Sequence, residues 1–363
     1  MSDRRLQGPV RIVGAGLLGS SIGLALTAKG VDVILHDVSP STVVLAVDYG
    51  AGRAPASGDA PELVVVAVPP DVTARIVAEE LASYPDALVT DVASVKLAPL
   101  EELRELGADV SRYIGSHPMA GRERGGAASA RADLFIGRPW VIAGHDEITY
   151  RRAAAVENLA LDLGALPIEM SAEEHDASVA LVSHVPQVVA SLLANRLREA
   201  PASAISLAGQ GLRDTTRIAS SAPELWVQIL MANSERTVEI LGAFRDDLDS
   251  VITSLAHPAV PGSRSALAGV IARGNTGVSR IPGKHGQARH FAQITVKVDD
   301  RPGELARLLT EIGELGVNME DLRLEHSPGA QFGLAEIAVV PEAEPGLIAA
   351  LDQRGWKIVG ATE

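Results

Sequence analysis

The stretch VRIVGAGLLGSSIGLALTAKGVDVILHD, Val10 to Asp37, constrains the fold more than any other. A short strand-forming run meets Gly14, Gly16 and Gly19. An apolar stretch of helical character then runs to Gly30, and VDVILHD reads as a second strand ending at Asp37. Glycines at these spacings permit a tight turn, close approach of a diphosphate to the backbone, and packing of helix on sheet. The helix start adds free amides and the positive end of a dipole. Asp37 stands 23 residues beyond Gly14, a spacing that suits a carboxylate accepting the ribose hydroxyls of an adenosine. Gly14, Gly16, Leu17, Leu18, Gly19 and Asp37 therefore read as a dinucleotide site. Asp37 repels a 2′-phosphate, which favours NAD over NADP. The bland alternative is a glycine-rich turn that holds nothing.

The strand-and-helix rhythm continues. ELVVVAVPP is a continuous apolar run, as in a parallel strand buried on both faces. Val68 and Pro69, at its end, border the same dinucleotide site. ALVTDVAS, YIGSHPM and WVIAG read as further strands. Residues 1–170 are thus expected to form a Rossmann-type, doubly wound parallel sheet in the α/β class.

From Ser171 the pattern turns helical. Ser171 with Glu174, and Ser221 with Glu224, have capping-box spacing. Pro223 to Ala256 reads as one helix of roughly 50 Å. Residues 171–258 are expected to be an all-helical dimerisation domain. Residues 259–289, rich in Gly, Pro, Ser and Arg, read as a linker. Residues 290–363 read as βαββαβ, a small α/β sandwich.

Composition narrows the function. The 363 residues carry a formal charge of −14 and only 3% aromatics. Such a field repels nucleic acid and anionic membranes. A small anionic substrate would then need a local arginine cluster. The absence of cysteine rules out disulfides, thiolate metal sites and a cysteine nucleophile. The longest uncharged stretch, Ala177 to Ala194, contains His184, Pro186, Gln187 and three serines. It reads as a helix buried between subunits or domains rather than a membrane span. The N-terminus shows no apolar signal segment, and a cytoplasmic location is expected.

Two sites then stand out. In SHPMAG, His117 precedes Pro118, which biases it to an extended conformation. It falls at a strand end, as does Ser94 in TDVASVK, and ligands of open α/β sheets sit at such ends. A serine hydroxyl can orient an imidazole. The neutral imidazole can take a proton from a substrate hydroxyl while hydride leaves the same carbon. The alternative is a satisfied structural histidine. In GLRDTTRIASSAPELW, Arg213 and Arg217 are four apart and share a face if helical. Paired guanidiniums suit carboxylate recognition. The alternative is an ordinary salt-bridged helix.

Taken together, GAGLLGSSIG, TDVASVK, SHPMAG, the SHVP helix and DTTRIASSAPELW resemble the prephenate dehydrogenase family. DDRPGELARLL followed by GVN resembles an ACT domain. The resemblance spans nearly the whole chain. It implies that His117 binds the substrate's ring hydroxyl, that Ser94 contacts that histidine, and that Arg217 binds a carboxylate. It implies that Glu123 and Arg213 gate the pocket and that Trp226 and His184 line it. Gln187 departs from the family, which has a second histidine there. The implied reaction is NAD-dependent oxidative decarboxylation of prephenate to 4-hydroxyphenylpyruvate in tyrosine biosynthesis, with no metal required. Arogenate remains open as substrate. Another hydroxyacid-type dehydrogenase, or a non-enzymatic sensor of NAD and amino acid, is more distant. The ACT resemblance implies an amino-acid site near Asp300, Gly303 and Asn318, with tyrosine as first choice of effector.

Overall fold

The computed structural model describes residues 4–121, 125–148, 150–281, 291–326 and 331–362. The chain opens with β1 (Val10–Val13), α1 (Leu17–Ala28), β2 (Val33–His36), α2 (Pro40–Asp48), β3 (Leu63–Val66) and α3 (Pro70–Ser83). It continues through β4 (Leu88–Asp91), α4 (Leu97–Glu105), β5 (Tyr113–Pro118), β6 (Pro139–Gly144), α5 (Tyr150–Asp162) and β7 (Leu166–Ser171). Helices follow: α6 (Ala172–Val179), a π turn at Ala180–His184, α7 (Val185–Arg196), α8 (Ala202–Ile205) and α9 (Gln210–Thr216). Next are α10 (Pro223–Ala232), α11 (Ser234–Ala256) and α12 (Ser263–Val278). The end is β8 (Ala292–Asp299), α13 (Glu304–Glu314), β9 (Asp321–His326), β10 (Phe332–Val339), α14 (Glu344–Gln353) and β11 (Lys357–Thr362).

These elements form two compact units. One comprises Met1–Glu199 with Thr216–Phe244, the other Ala200–Thr215 with Arg245–Glu363. The first is built on a seven-stranded sheet in the order β2-β1-β3-β4-β5-β6-β7. All its pairs are parallel except β5 with β6. The described residues between those two strands hold no α-helix to carry the chain back across the sheet, so β6 returns antiparallel. Strand order reverses between β1 and β3, the point at which such sheets bind ligands.

Strand period divides the core into two layers. Ile12, Leu35, Val65 and Ile142 face one cluster with Leu26, Trp140 and Val156. Val13, Val64, Val66 and Val89 face another with Val77, Leu103 and Tyr113. Burial on both faces explains the unbroken apolar run at Leu63–Val66. Helix α6 packs directly on β6 and β7. The capping box read at Ser171 and Glu174 is formed in both directions, at 3.1 and 3.0 Å.

In the second unit, β8 to β11 make an antiparallel sheet in the order β11-β8-β10-β9. Ile294, Val296 and Val298 on β8 pack with Ala335, Ile337 and Val339 on β10. Leu308 and Ile312 of α13, and Leu347 and Leu351 of α14, cover that face. This is the expected βαββαβ sandwich.

Three local expectations are corrected. The long helix from Pro223 is broken at Asn233, whose φ of −123° and ψ of 38° leave the helical region. Its side chain instead donates to the Asp176 carbonyl at 2.8 Å. Helix α11 alone, with 23 residues, is about 35 Å long. Ser221 does not cap α10. The cap is Ala222, and the Ser221 hydroxyl donates back to the Ile218 carbonyl at 2.7 Å. The segment read as a linker contains α12, because Ala, Leu, Val and Ile between its glycines sustain a helix.

Candidate active site

The dinucleotide loop has the geometry its glycines suggest. Gly14 has φ +99°, and a Cβ there would lie 2.3 Å from the Ala67 carbonyl oxygen. A Cβ on Gly19 would meet the Gly14 carbonyl oxygen at 1.9 Å, so the helix can sit on the turn only without one. Around Gly16, by contrast, nothing lies within 4 Å of where a Cβ would be. The helix N-terminus behind it has neither a side-chain cap nor an acidic residue in its first turn. Its amides are thus open to an anionic group. Asp37 is anchored by the amides of Ala15 at 2.8 Å and Ser39 at 2.9 Å. Those bonds leave carboxylate lone pairs for ribose hydroxyls. Val68 is half-buried and the exposed Pro69 caps α3; both follow β3, across the switch point from Gly14. Leu17 and Leu18 are half-buried at the start of α1. The residues fit a dinucleotide.

His117 lies next to last in β5, paired with Val141 of β6. Three strand spacings of about 4.8 Å, roughly 14 Å in all, separate β5 from β1, a distance an extended dinucleotide spans. His117 is half-buried. Its Nδ1 lies 2.9 Å from Nε2 of His175, and Nδ1 of His175 lies 2.7 Å from Oδ1 of Asp176. The partner that holds the imidazole is therefore His175. No hydrogen bond joins Ser94 to His117; Ser94 is half-buried in the loop after β4. Desolvation holds the His117 pKa well below the usual histidine value, and the nearby His175, Lys96 and His184 push it further down. Both effects favour the neutral imidazole.

Beneath it, TDVASVK forms a buried staple. The Lys96 ammonium bonds to the Asp91 carboxylate and donates to the Ser116 carbonyl at 2.7 Å. The Tyr113 hydroxyl donates to the other Asp91 oxygen at 2.7 Å. Burial lowers the Lys96 pKa while Asp91 opposes the shift. The Lys96 and Leu97 amides, at the start of α4, donate to Asp176 at 2.9 and 3.0 Å.

The other candidate residues are more dispersed. His184 ends the π turn and is fully buried, and Trp226 approaches it edge-on at 6.2 Å between ring centroids. Pro186 follows within the first turn of α7; it has no N–H to give the preceding turn, which is widened to a π turn. Gln187 is buried and its side-chain nitrogen donates to the Ser191 hydroxyl at 3.4 Å. Arg217 opens a short 3₁₀ turn, whereas Arg213 lies in α9 of the second unit. The single helical face expected for the two arginines is therefore interrupted. Both are exposed, and neither forms an ion pair with a described residue. Glu123 lies outside the described residues.

His175 and Asp176 were not legible as site residues. The usable signal was their place one turn past the Ser171 capping box, which aims that turn of α6 at the sheet. The run Ala172–Glu199 is by length and composition apolar enough to cross a membrane. Its His175, Asp176, His184 and Gln187 are instead buried within the protein.

Comparison with known proteins agrees with this geometry. A family model described as the nucleotide-binding domain of prephenate dehydrogenase matches residues 22–168, just beyond the glycine loop. Another, described as the prephenate dehydrogenase dimerization domain, matches residues 171–267. A probable prephenate dehydrogenase of Streptomyces niveus is 36% identical over 95% of this chain and 98% of its own. A solved prephenate dehydrogenase of Aquifex aeolicus, in complex with hydroxyphenyl propionate and NAD+, superposes with TM-score 0.65 at 26% identity, covering 75% of this chain and 99% of that one. An arogenate dehydrogenase of Synechocystis superposes with TM-score 0.61 at 26% identity, covering 74% and 99%. With both domains matched in order and a relative aligned end to end, this chain belongs to the prephenate dehydrogenase family of oxidoreductases.

Proposed function

We propose that this chain converts prephenate to 4-hydroxyphenylpyruvate with NAD. The observation that carries the reading is His117, held neutral at the carboxyl end of β5 on the same sheet edge as the Gly14–Gly19 loop. NAD, when bound, supplies the hydride acceptor; Gly14, Gly16, Leu17, Leu18, Gly19, Asp37, Val68 and Pro69 would hold it. His117 takes the proton from the ring hydroxyl at Nε2, and ring carboxylate loss aromatises the product. Ser94 would bond the substrate hydroxyl once the ring is in place. Arg217 would bind a substrate carboxylate, with His184 and Trp226 along the pocket wall. The test is NADH formation from prephenate and from arogenate under equal conditions. Faster turnover of prephenate supports the reading. Turnover of arogenate alone favours the second reading, which the likeness to an arogenate dehydrogenase keeps in view.

The working unit is a homodimer in this reading, located in the cytoplasm with other biosynthetic enzymes. Leu192 of α7, Met231 of α10 and Ile252 of α11 are exposed on the single chain, within the residues matched by the dimerization model. The C-terminal sandwich acts as an ACT domain taking tyrosine. A cavity of about 210 Å³ there is lined by Asp300, Arg301 and Leu305, among others. Gly303, φ +92°, begins α13 beside it, and Asn318 bonds to Glu320 at 3.0 Å. Asp300→Asn should weaken inhibition by tyrosine while leaving uninhibited turnover unchanged. Equal inhibition in both chains would move the effector to the catalytic pocket.

A further inference from the structure

The groups behind His117 have a direction. The Asp176 carboxylate receives three hydrogen bonds, from the Lys96 amide, the Leu97 amide and the His175 ring. Two of those donors are backbone N–H groups that can only donate, so Asp176 is an acceptor throughout. Nδ1 of His175 therefore carries its proton toward Asp176. In a neutral His175, Nε2 is then a lone pair, and that lone pair faces Nδ1 of His117 at 2.9 Å. His175 has no exposed surface and Asp176 has almost none, with 0% and 3% of their surfaces accessible. Water does not compete for these positions.

We infer that His175, oriented by Asp176, is a positioning residue that sets the tautomer of His117, holding its proton on Nδ1 and leaving Nε2 free as the base. This rests on the dehydrogenase reading above and adds two residues to it. In the reacting step the substrate O–H bond breaks and an Nε2–H bond forms on His117. The resulting imidazolium keeps Nδ1–H donated to the His175 lone pair, and the charge is stabilised along the line toward Asp176. A free imidazole places its proton on either nitrogen, and the wrong tautomer presents a donor where the step needs an acceptor. The charged and titratable groups around His117 are His175 of α6, Lys96 of the β4–α4 loop and His184 of the π turn. Lys96 and His184 form no hydrogen bond to it, so neither selects a tautomer.

The geometry makes one competing arrangement explicit. A doubly protonated His175 would donate from Nε2 to His117 and force the His117 proton onto Nε2. Nitrogen-15 NMR of the histidines in the full-length protein distinguishes the two without any substrate. A His117 proton on Nδ1 supports the inference; a proton on Nε2 overturns it. Kinetics give the second arm. His175→Leu removes the acceptor, and turnover should fall about tenfold to a hundredfold, the range for losing a hydrogen bond to a charged group. The Michaelis constant for prephenate and NAD affinity should stay within about twofold in the range expected for groups that do not touch either ligand. His175→Gln places an amide oxygen where Nε2 was and should recover most of the loss. Unchanged turnover in the leucine variant overturns the positioning role, as does a glutamine variant no better than the leucine one. Should wild type itself reduce NAD with neither prephenate nor arogenate, the dehydrogenase reading fails, and the NMR result still decides the tautomer.

Discussion

Asn233 donates its side-chain amide to Nδ1 of His184 at 3.2 Å, and so decides which nitrogen of that imidazole is protonated. The same amide donates to the Asp176 carbonyl at 2.8 Å, which requires the nitrogen of the Asn233 side chain on this side. Nδ1 of His184 is then the acceptor, and its proton sits on Nε2. One side chain at a helix break thus ties α10 and α11 to the buried histidine of the SHVP turn and to the element that carries His175.

Burial pushes the His184 pKa down to about 4, and desolvation is the largest cause. An unfolded chain has a histidine near 6.5. Above that value neither state binds the proton and the contribution to stability is complete. As pH falls from about 6.5 to about 4, the unfolded state takes a proton that the folded state refuses, and stability declines. Thermal unfolding of wild type and His184→Gln at pH 7.5 and 4.5 checks this. The variant should lose less of its melting temperature over that interval; equal losses would place the acid sensitivity elsewhere.

His117→Asn should keep the fold and NAD binding, because its neighbours in β5 are held by the sheet. Turnover should fall by roughly 10²–10⁴, the usual contribution of a general base. Steady-state kinetics beside NAD titration separates the two effects. Turnover within threefold of wild type would remove His117 from the reaction.

The lowered His117 pKa also sets a pH profile. Desolvation is its first cause, followed by the nearby His175, Lys96 and His184. The base therefore stays deprotonated below the ordinary histidine value, and kcat/KM should begin to fall only below about pH 6.5. The rate profile from pH 5 to 9 tests this, provided the protein is folded throughout. An acid limb centred above 6.5 contradicts the burial argument.

Arg217→Ala should raise the Michaelis constant for prephenate roughly tenfold to a hundredfold, the range for a charge-assisted hydrogen bond. Turnover should change less, because the contact lies on a carboxylate present before and during reaction. An unchanged constant would put the carboxylate on another cation.

The exposed face of α11 supplies a structural test. Val238, Phe244, Leu248, Ile252 and Leu255 are exposed on the single chain, far more apolar surface than a solvated helix carries. Leu248→Asp should weaken a wild-type dimer and yield monomer at micromolar concentration. Light scattering on both chains reads this directly. A wild type that is already monomeric at that concentration refutes the dimer.

Much of this molecule was determined locally. Gly14, Gly16 and Gly19 work through backbone conformation and the space a Cβ would take, and both follow from residue type and spacing. The alternation of Ile294, Val296 and Val298 specified one face of the C-terminal sheet, because strand period is a property of the backbone. His117 stood out because Pro118 makes it extended. What remained undetermined depended on side chains distant in the chain meeting one another. The helix after Pro223 has no internal proline or strong breaker; Asn233 breaks it because two acceptors, 49 and 57 residues earlier, take its amide. Arg213 and Arg217 share no continuous helical face, since α9 ends at Thr216 and Arg217 opens a 3₁₀ turn. Nothing in the spacing of His175 and Asp176 singles them out. Only the packing of α6 on β6 and β7 buries them, and only the amides of α4, 79 and 80 residues away, turn Asp176 into the acceptor that points the line of protons at His117. Sequence spacing can specify backbone shape and which residues share a face. A buried hydrogen-bond network is decided by which donors and acceptors the tertiary fold brings within 3 Å of one another, away from water.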